Sequence, residues 1–252
     1  MTAVDFAILF IAAAGAGAVN AVAGGGTLIS FPVLLALGVP PIAANVTNAI
    51  ALCPGYFGAT LSQWPNIRDQ RQRLWICVPA AVVGGLIGAT ILLRTRERTF
   101  QMLVPYMLLT GSLLLAIQDL VKRFALRRAA EQHRGATVLA ATAVVGAGIY
   151  GGFFSAGMSV IVLAVLASTL EDTFTRLNAL KQVTAFSVNA AATVFFLFSD
   201  QVVWAATAIM AVGAMLGGAA GGYLAGRLPP TLLRWTVVCV GVGLAIYYWM
   251  NE

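Results

Sequence analysis

A chain of 252 residues in which 60% are hydrophobic and 10% charged, with a mean hydropathy of +0.89, describes a polytopic membrane protein and excludes a water-soluble core. The net charge of +6 is carried by Lys and Arg in short loops between apolar segments, so it reads as membrane topology and not as a nucleic-acid surface. No loop is long enough for a separate soluble domain, which confines any activity to the membrane.

The start, Met1 to Asp5, carries an acid where a signal peptide would carry basic residues, so the first apolar segment is expected to be retained. Cys53, Cys77 and Cys239 each sit inside an apolar segment without metal-ligand spacing, and His133 belongs to a basic loop. There is no Gly-x-Ser-x-Gly, no His/Glu metal motif and no strand context for a nucleotide loop. Neither enzyme activity nor a cofactor nor a metal is expected.

In chain order, Val4 to Leu37 is too long for one crossing and is broken near its middle by Gly24, Gly25 and Gly26. Hydrocarbon offers backbone groups no water, so such a break survives only where protein or a hydrated cavity surrounds it. A helix restarting at Thr27 would aim its N–H groups and positive dipole end into the gap, which suits an anion. Small residues also let helices pack closely, but that need does not call for three glycines in a row. Single crossings of ~20 residues follow at Ile42 to Ser62, Leu74 to Leu93 and Phe100 to Val121. The basic stretch Lys122 to Gly135 is the one candidate linker. A second overlong stretch, Ala136 to Ser168, is again broken by glycine. Three more crossings complete the chain: Phe174 to Phe198, Val202 to Ala225 and Leu232 to Trp249.

The two overlong stretches open a repeat. A shift of 131 residues lays Gly15, Gly17 and Gly26 on Gly146, Gly148 and Gly157, so that Ser155-Ala156-Gly157 faces the first glycine triplet. A shift of 133 lays Gly84, Gly85, Gly88 and Arg94 on Gly217, Gly218, Gly221 and Arg227. If each broken stretch is a hairpin returning to its own side, 12 of the 15 Lys and Arg share one face of the membrane; if the second crosses fully, the split is eight to seven. The positive-inside bias favours the first arrangement. The fold expected is therefore an all-α integral membrane protein of two inverted repeats, each a Gly-broken re-entrant hairpin plus three transmembrane helices. Residues 1–121 form the first repeat, 122–135 a cytoplasmic linker and 136–252 the second repeat, with both termini outside.

Ionisable groups inside apolar segments are costly unless they face a partner or a cavity. Lys181 is such a group, and Asn178, Lys181 and Gln182 share one helical face. Lys181 snorkelling to the interface is the plainer alternative. In the first half Asn45 and Asn48 share a face with Thr47 beside them, either as ligands or as interhelical hydrogen bonders. Every Asp and Glu lies at a segment end or in a loop, leaving no mid-membrane carboxylate for a proton relay. The inventory of backbone amides, side-chain amides and one cation fits a small anion.

The run Gly15-x-Gly17-x-x-Asn20-x-x-x-Gly24-Gly25-Gly26, then Pro32, Gly38-Val-Pro40 and Ala43-Ala-Asn45-Val-Thr47-Asn48, resembles the sulfite exporter TauE/SafE family of membrane transporters. Gly151-Gly152 to Gly157 followed by Asn178-Ala-Leu-Lys181 resembles that family's second repeat, with Ser155-Ala156 in place of expected glycines. The resemblance implies transport of a small anion such as sulfite, a sulfonate or sulfoacetate across the cytoplasmic membrane of a bacterium.

The expected site has two halves: Asn20, Gly24, Gly25, Gly26, Thr27, Asn45, Thr47 and Asn48, and Ser155, Ala156, Gly157, Asn178, Lys181 and Gln182. Alternating access around the hairpin tips is the expected mechanism, with a passive anion channel or a non-transporting membrane subunit as the alternatives. The partners expected are the anion and the lipid bilayer, with no nucleic acid. A homodimer could form through the glycine faces at Gly84 to Gly88 or Gly217 to Gly222.

Overall fold

The computed structural model describes residues 1–22, 25–130, 137–170, 172–224 and 230–250. Among these the chain is helical throughout, with no strand. The first overlong stretch forms α1 (Ala3–Val22) and α2 (Thr27–Ala36), and the second forms α8 (Thr137–Phe153) and α9 (Met158–Thr169). The expected single crossings appear as α3 (Pro41–Ser62), α5 (Arg71–Arg94), α6 (Glu97–Ala116), α10 (Phe174–Phe196), α11 (Trp204–Leu224) and α12 (Pro230–Met250). A one-turn helix α4 (Trp64–Ile67) lies between α3 and α5. The run expected to extend to Val121 stops at Ala116, and a separate helix α7 (Gln118–Ala130) takes over. Of the described helices, Ala3–Asn20, Arg71–Arg94 and Glu97–Ala116 are both long and apolar enough to cross a membrane, and several shorter apolar helices accompany them.

Glycine decides how the helices pair. A methyl group on Gly217 would lie 1.9 Å from the Ala14 carbonyl oxygen, one on Gly213 2.6 Å from that of Phe10, and one on Gly17 2.1 Å from that of Ala214. Phe10, Ala14 and Gly17 meet Gly213, Gly217 and Gly218 in ascending order, so α1 and α11 run parallel with their backbones touching. The α5–α8 pair repeats this pattern. Gly84 meets Val145 and Gly148, and Gly88 meets Ile149 and Gly152. Close approach of this kind replaces the missing hydrophobic drive between helices in lipid. It also occupies the glycine faces at Gly84, Gly85, Gly88 and Gly217 within the chain, so these are not open surfaces for a homodimer.

The remaining contacts also come in matching pairs. α3 packs on α11 as α10 packs on α5, and α2 touches α12 as α9 touches α6. Between α3 and α10 the order is reversed: Thr60 donates to the Gln182 carbonyl at 3.3 Å, while Phe57 stacks on Phe186 at 5.6 Å between ring centres. Reversal also holds for α6 and α12, where Tyr106 meets Trp249 and Ser112 meets Gly241.

Polar residues gather at the two ends of the bundle. At one end Glu97 accepts from the Ile42 backbone N–H at 2.9 Å and Thr47 Oγ1 accepts from that of Val203 at 3.1 Å. At the other, Asp172 pairs with Arg73 and Arg176, Gln70 Nε2 donates to the Arg176 carbonyl at 3.0 Å, and Lys122 sits 5.3 Å from the centre of the Phe174 ring. Asp119 binds Arg234 through both guanidinium NH groups there, and Arg234 is only 6% exposed.

Candidate functional site

Each break is pinned by a side chain from the helix before it. Gly25 has φ +95 and Gly157 φ +74, left-handed values that glycine adopts without strain. At the first break Asn20 Oδ1 accepts from the Gly26 N–H at 2.8 Å, and α2 begins at Thr27 as its sequence suggests. At the second, Tyr150 Oη donates to the Ala156 carbonyl at 2.7 Å. Gly24 lies outside the described residues.

The two tips touch. Thr27 Oγ1 and Ser155 Oγ are 2.9 Å apart, although 128 residues separate them in sequence, and both are buried. α6 holds them from one side: a methyl on Gly25 would strike Leu115, one on Gly157 would crowd Leu114, and Gly111 faces Ala156. Phe31 and Phe154 lock edge to face at 5.3 Å just behind the contact. Tip amides expected to be open are partly used inside the turn, since Leu28 N–H bonds to the Gly25 carbonyl at 3.0 Å and Ile29 N–H to that of Gly26 at 2.9 Å. The first helix start therefore offers an anion fewer donors than the sequence suggests.

The asparagines and threonine of α3 are engaged between helices. Asn45 Nδ2 donates to the Phe153 carbonyl at 2.8 Å, satisfying the last turn of α8. Asn48 Oδ1 accepts from Ser30 Oγ at 2.5 Å, while its buried Nδ2 has no protein acceptor. Thr47 holds the start of α11. Asn45, Thr47 and Asn48 are all at most 3% exposed.

The other predicted residues open onto a single cavity of ≈ 600 Å³ that brings Asn20, Asn178, Lys181 and Gln182 together. Its wall also takes in Lys122 and Gln118 from α7, Gln63 after α3, and Ser159 on α9. Among the described residues, no carboxylate lines it. Gly55 and Gly58, both in its wall, have no neighbour within 4 Å of where a side chain would begin. Such a volume suits a small ligand with some water, held by a few polar groups on a partly apolar wall. The cavity lies toward the end of the bundle that carries Lys122 and Phe174, and Asn20 links its depth to the first tip.

A second hollow of ≈ 800 Å³ lies among Arg68, Arg71, Arg73 and Arg176. It also includes Asp69, is open to the surface, and does not involve the tips.

The predicted residues thus divide into a cavity-facing set and a sealed set at and behind the tips. Sequence reading missed Lys122, Gln118, Gln63 and Ser159. Gln118 and Lys122 are four apart and share a helical face, a spacing hidden by treating Lys122 as the start of a linker.

Paired broken helices, buried polar contacts at their meeting point and a polar cavity ending there define a polytopic membrane transporter. The chain belongs to the sulfite exporter TauE/SafE family, whose model matches residues 9–248. It is similar to a probable membrane transporter protein of Haemophilus influenzae, 28% identical over 92% of this chain and 89% of that one. The probable membrane transporter protein ORF9 of a Sinorhizobium species is 28% identical over 95% and 90% of the two chains. The probable membrane transporter protein YfcA of Escherichia coli is 25% identical over 92% and 85%. No solved structure gives a significant match.

Proposed function

We propose that this chain is a secondary transporter that moves a small anion, sulfite, a sulfonate or a sulfoacetate-like compound, across the bacterial cytoplasmic membrane by alternating access. The observation that carries this reading is the cavity in which two lysines and several amides converge with no carboxylate among the described residues of its lining. Lys181 and Asn178 from α10, Gln182 beside them and Asn20 from α1 would bind the anion from that cavity. Thr27, Ser155 and the buried α3 amides would form the barrier between it and the opposite side. The partly apolar wall strengthens the attraction between a lysine and an anion relative to bulk water, and a lining without acids among the described residues disfavours cations.

The inverted repeat is supported by the reversed pairing of α3 with α10 and of α6 with α12. Re-entrant hairpins are supported by how the linkers group: those after α3, α6 and α9 lie near the Asp172 end, whereas those before α3, α6 and α11 lie near Glu97 and Val203. With the basic end cytoplasmic, the cavity is open inward. Breaking Thr27–Ser155 and separating the tips would open the outward path.

The test is flux and counterflow in proteoliposomes with sulfite, sulfoacetate and simple carboxylates. Saturable uptake with counterflow is expected, whereas flux proportional to the gradient would indicate a channel. Lys181→Met should raise the half-saturation concentration about tenfold or more, the scale of a lost charge-assisted hydrogen bond. Wild-type transport by that variant would remove Lys181 from the site.

A further inference from the structure

The helix α7 has two faces of different character. Gln118 and Lys122, with buried Ala125 beside them, turn inward, and the first two line the cavity. On the opposite side of the helix, successive 100° steps bring Leu120, Arg123, Phe124 and Arg127 together. Leu120 is 63% exposed and Phe124 43% exposed, and both arginines are exposed. No carboxylate among the described residues lies within ion-pair distance of Arg123 or Arg127; Asp119, which feels the charge of Arg123, is bonded to Arg234. The helix start is fixed to the bundle through Asp119–Arg234 and Lys122–Phe174.

A helix that follows a membrane crossing and mixes exposed apolar side chains with arginines has the composition of one that rests in a lipid interface. Arginine attracts acidic headgroups there, and the exposed leucine and aromatic ring supply the apolar contact. We infer that α7 docks through Arg123 and Arg127 on acidic phospholipid headgroups, and that this docking sets Lys122 at the mouth of the cavity. The second half of this statement rests on the transport reading of the cavity; the first half does not. Lipid composition thereby becomes an input to transport, because the surface that meets the headgroups and the surface that meets the ligand belong to one rigid helix.

The experiment uses the full chain in nanodiscs of phosphatidylcholine alone or with phosphatidylglycerol, and compares wild type with the double variant Arg123→Gln/Arg127→Gln. Each arginine near an acidic surface contributes about fivefold to association, so amide-exchange protection of α7 should rise about 30-fold with phosphatidylglycerol in the wild type. In the double variant that rise should disappear, and in Arg123→Lys/Arg127→Lys it should return. Liposome flux should follow the same pattern, with the double variant equal to wild type in neutral lipid. Protection that is indifferent to phosphatidylglycerol, or that still responds in the double variant, overturns the proposal. Lipid-dependent protection without anion flux in any vesicle would uphold α7 docking and refute transport instead.

Discussion

Gly217→Ala is a test of the parallel α1–α11 contact. The added methyl would lie 1.9 Å from the Ala14 carbonyl oxygen and 2.5 Å from its carbon. Relieving the overlap to ordinary contact needs a separation of about 1.5 Å, and both obstacles are backbone, so no side-chain rotation can supply it. Overpacking of this kind costs about 1 to 3 kcal/mol, partly offset by the roughly 1 kcal/mol by which Ala exceeds Gly in a helix. Gly15→Ala is the matched control, since nothing lies within 4 Å of its added methyl. Thermal unfolding in one detergent should give a lower Tm for Gly217→Ala than for wild type, and an unchanged or higher one for Gly15→Ala. Equal stability of the two variants would show that α1 and α11 do not meet as described.

Further expectations follow from the tips and from the basic end. Thr27→Val and Ser155→Ala each leave a buried hydroxyl group without its partner, so a double-mutant cycle on unfolding free energy should give a coupling of about 1 kcal/mol; additive losses would mean the tips do not bond. The same variants should alter transport rate more than binding if that contact is the barrier. Asp119→Asn should lower Tm because it weakens a charged hydrogen-bonded pair whose arginine is buried. Bonding to Arg234 holds the Asp119 carboxyl below the ordinary range, so its stabilisation is complete above that range and lost as pH falls through the lower folded value. The Tm gap between wild type and Asp119→Asn should therefore stay constant from about pH 8 to about pH 5 and close only in stronger acid.

Much of the architecture was legible because lipid forbids irregular backbone. Length together with glycine placement therefore located the breaks before Thr27 and near Gly157, and hydropathy gave the bounds of most of the long helices to within a few residues. The end of α6 at Ala116 was missed because Leu120 and Val121 resume the apolar pattern after Gln118 and Asp119, while the helix breaks at Ile117. Composition cannot report such a turn. In the site, Lys181 and its neighbours were readable because a cation in an apolar run needs a reason to be there. Asn45, Thr47 and Asn48 were readable as polar, but their engagement between helices was not, since whether an amide meets a ligand or a carbonyl of α8 is settled only by the partner helix. Lys122 escaped because sequence shows a basic stretch but not which of its residues turns inward.

The parallel contacts of α1 with α11 and of α5 with α8 mean that the most extensive helix packing of each half lies against the other half. When residues 1–121 leave the ribosome, the glycine groove of α5 has no occupant, and α1 waits for a helix about 200 residues downstream. Insertion into the bilayer precedes assembly, and the first half stays incomplete until the second is made. Two polypeptides cut within 131–136 and made together should therefore reassemble, whereas either one alone should be cleared by the cell's quality control.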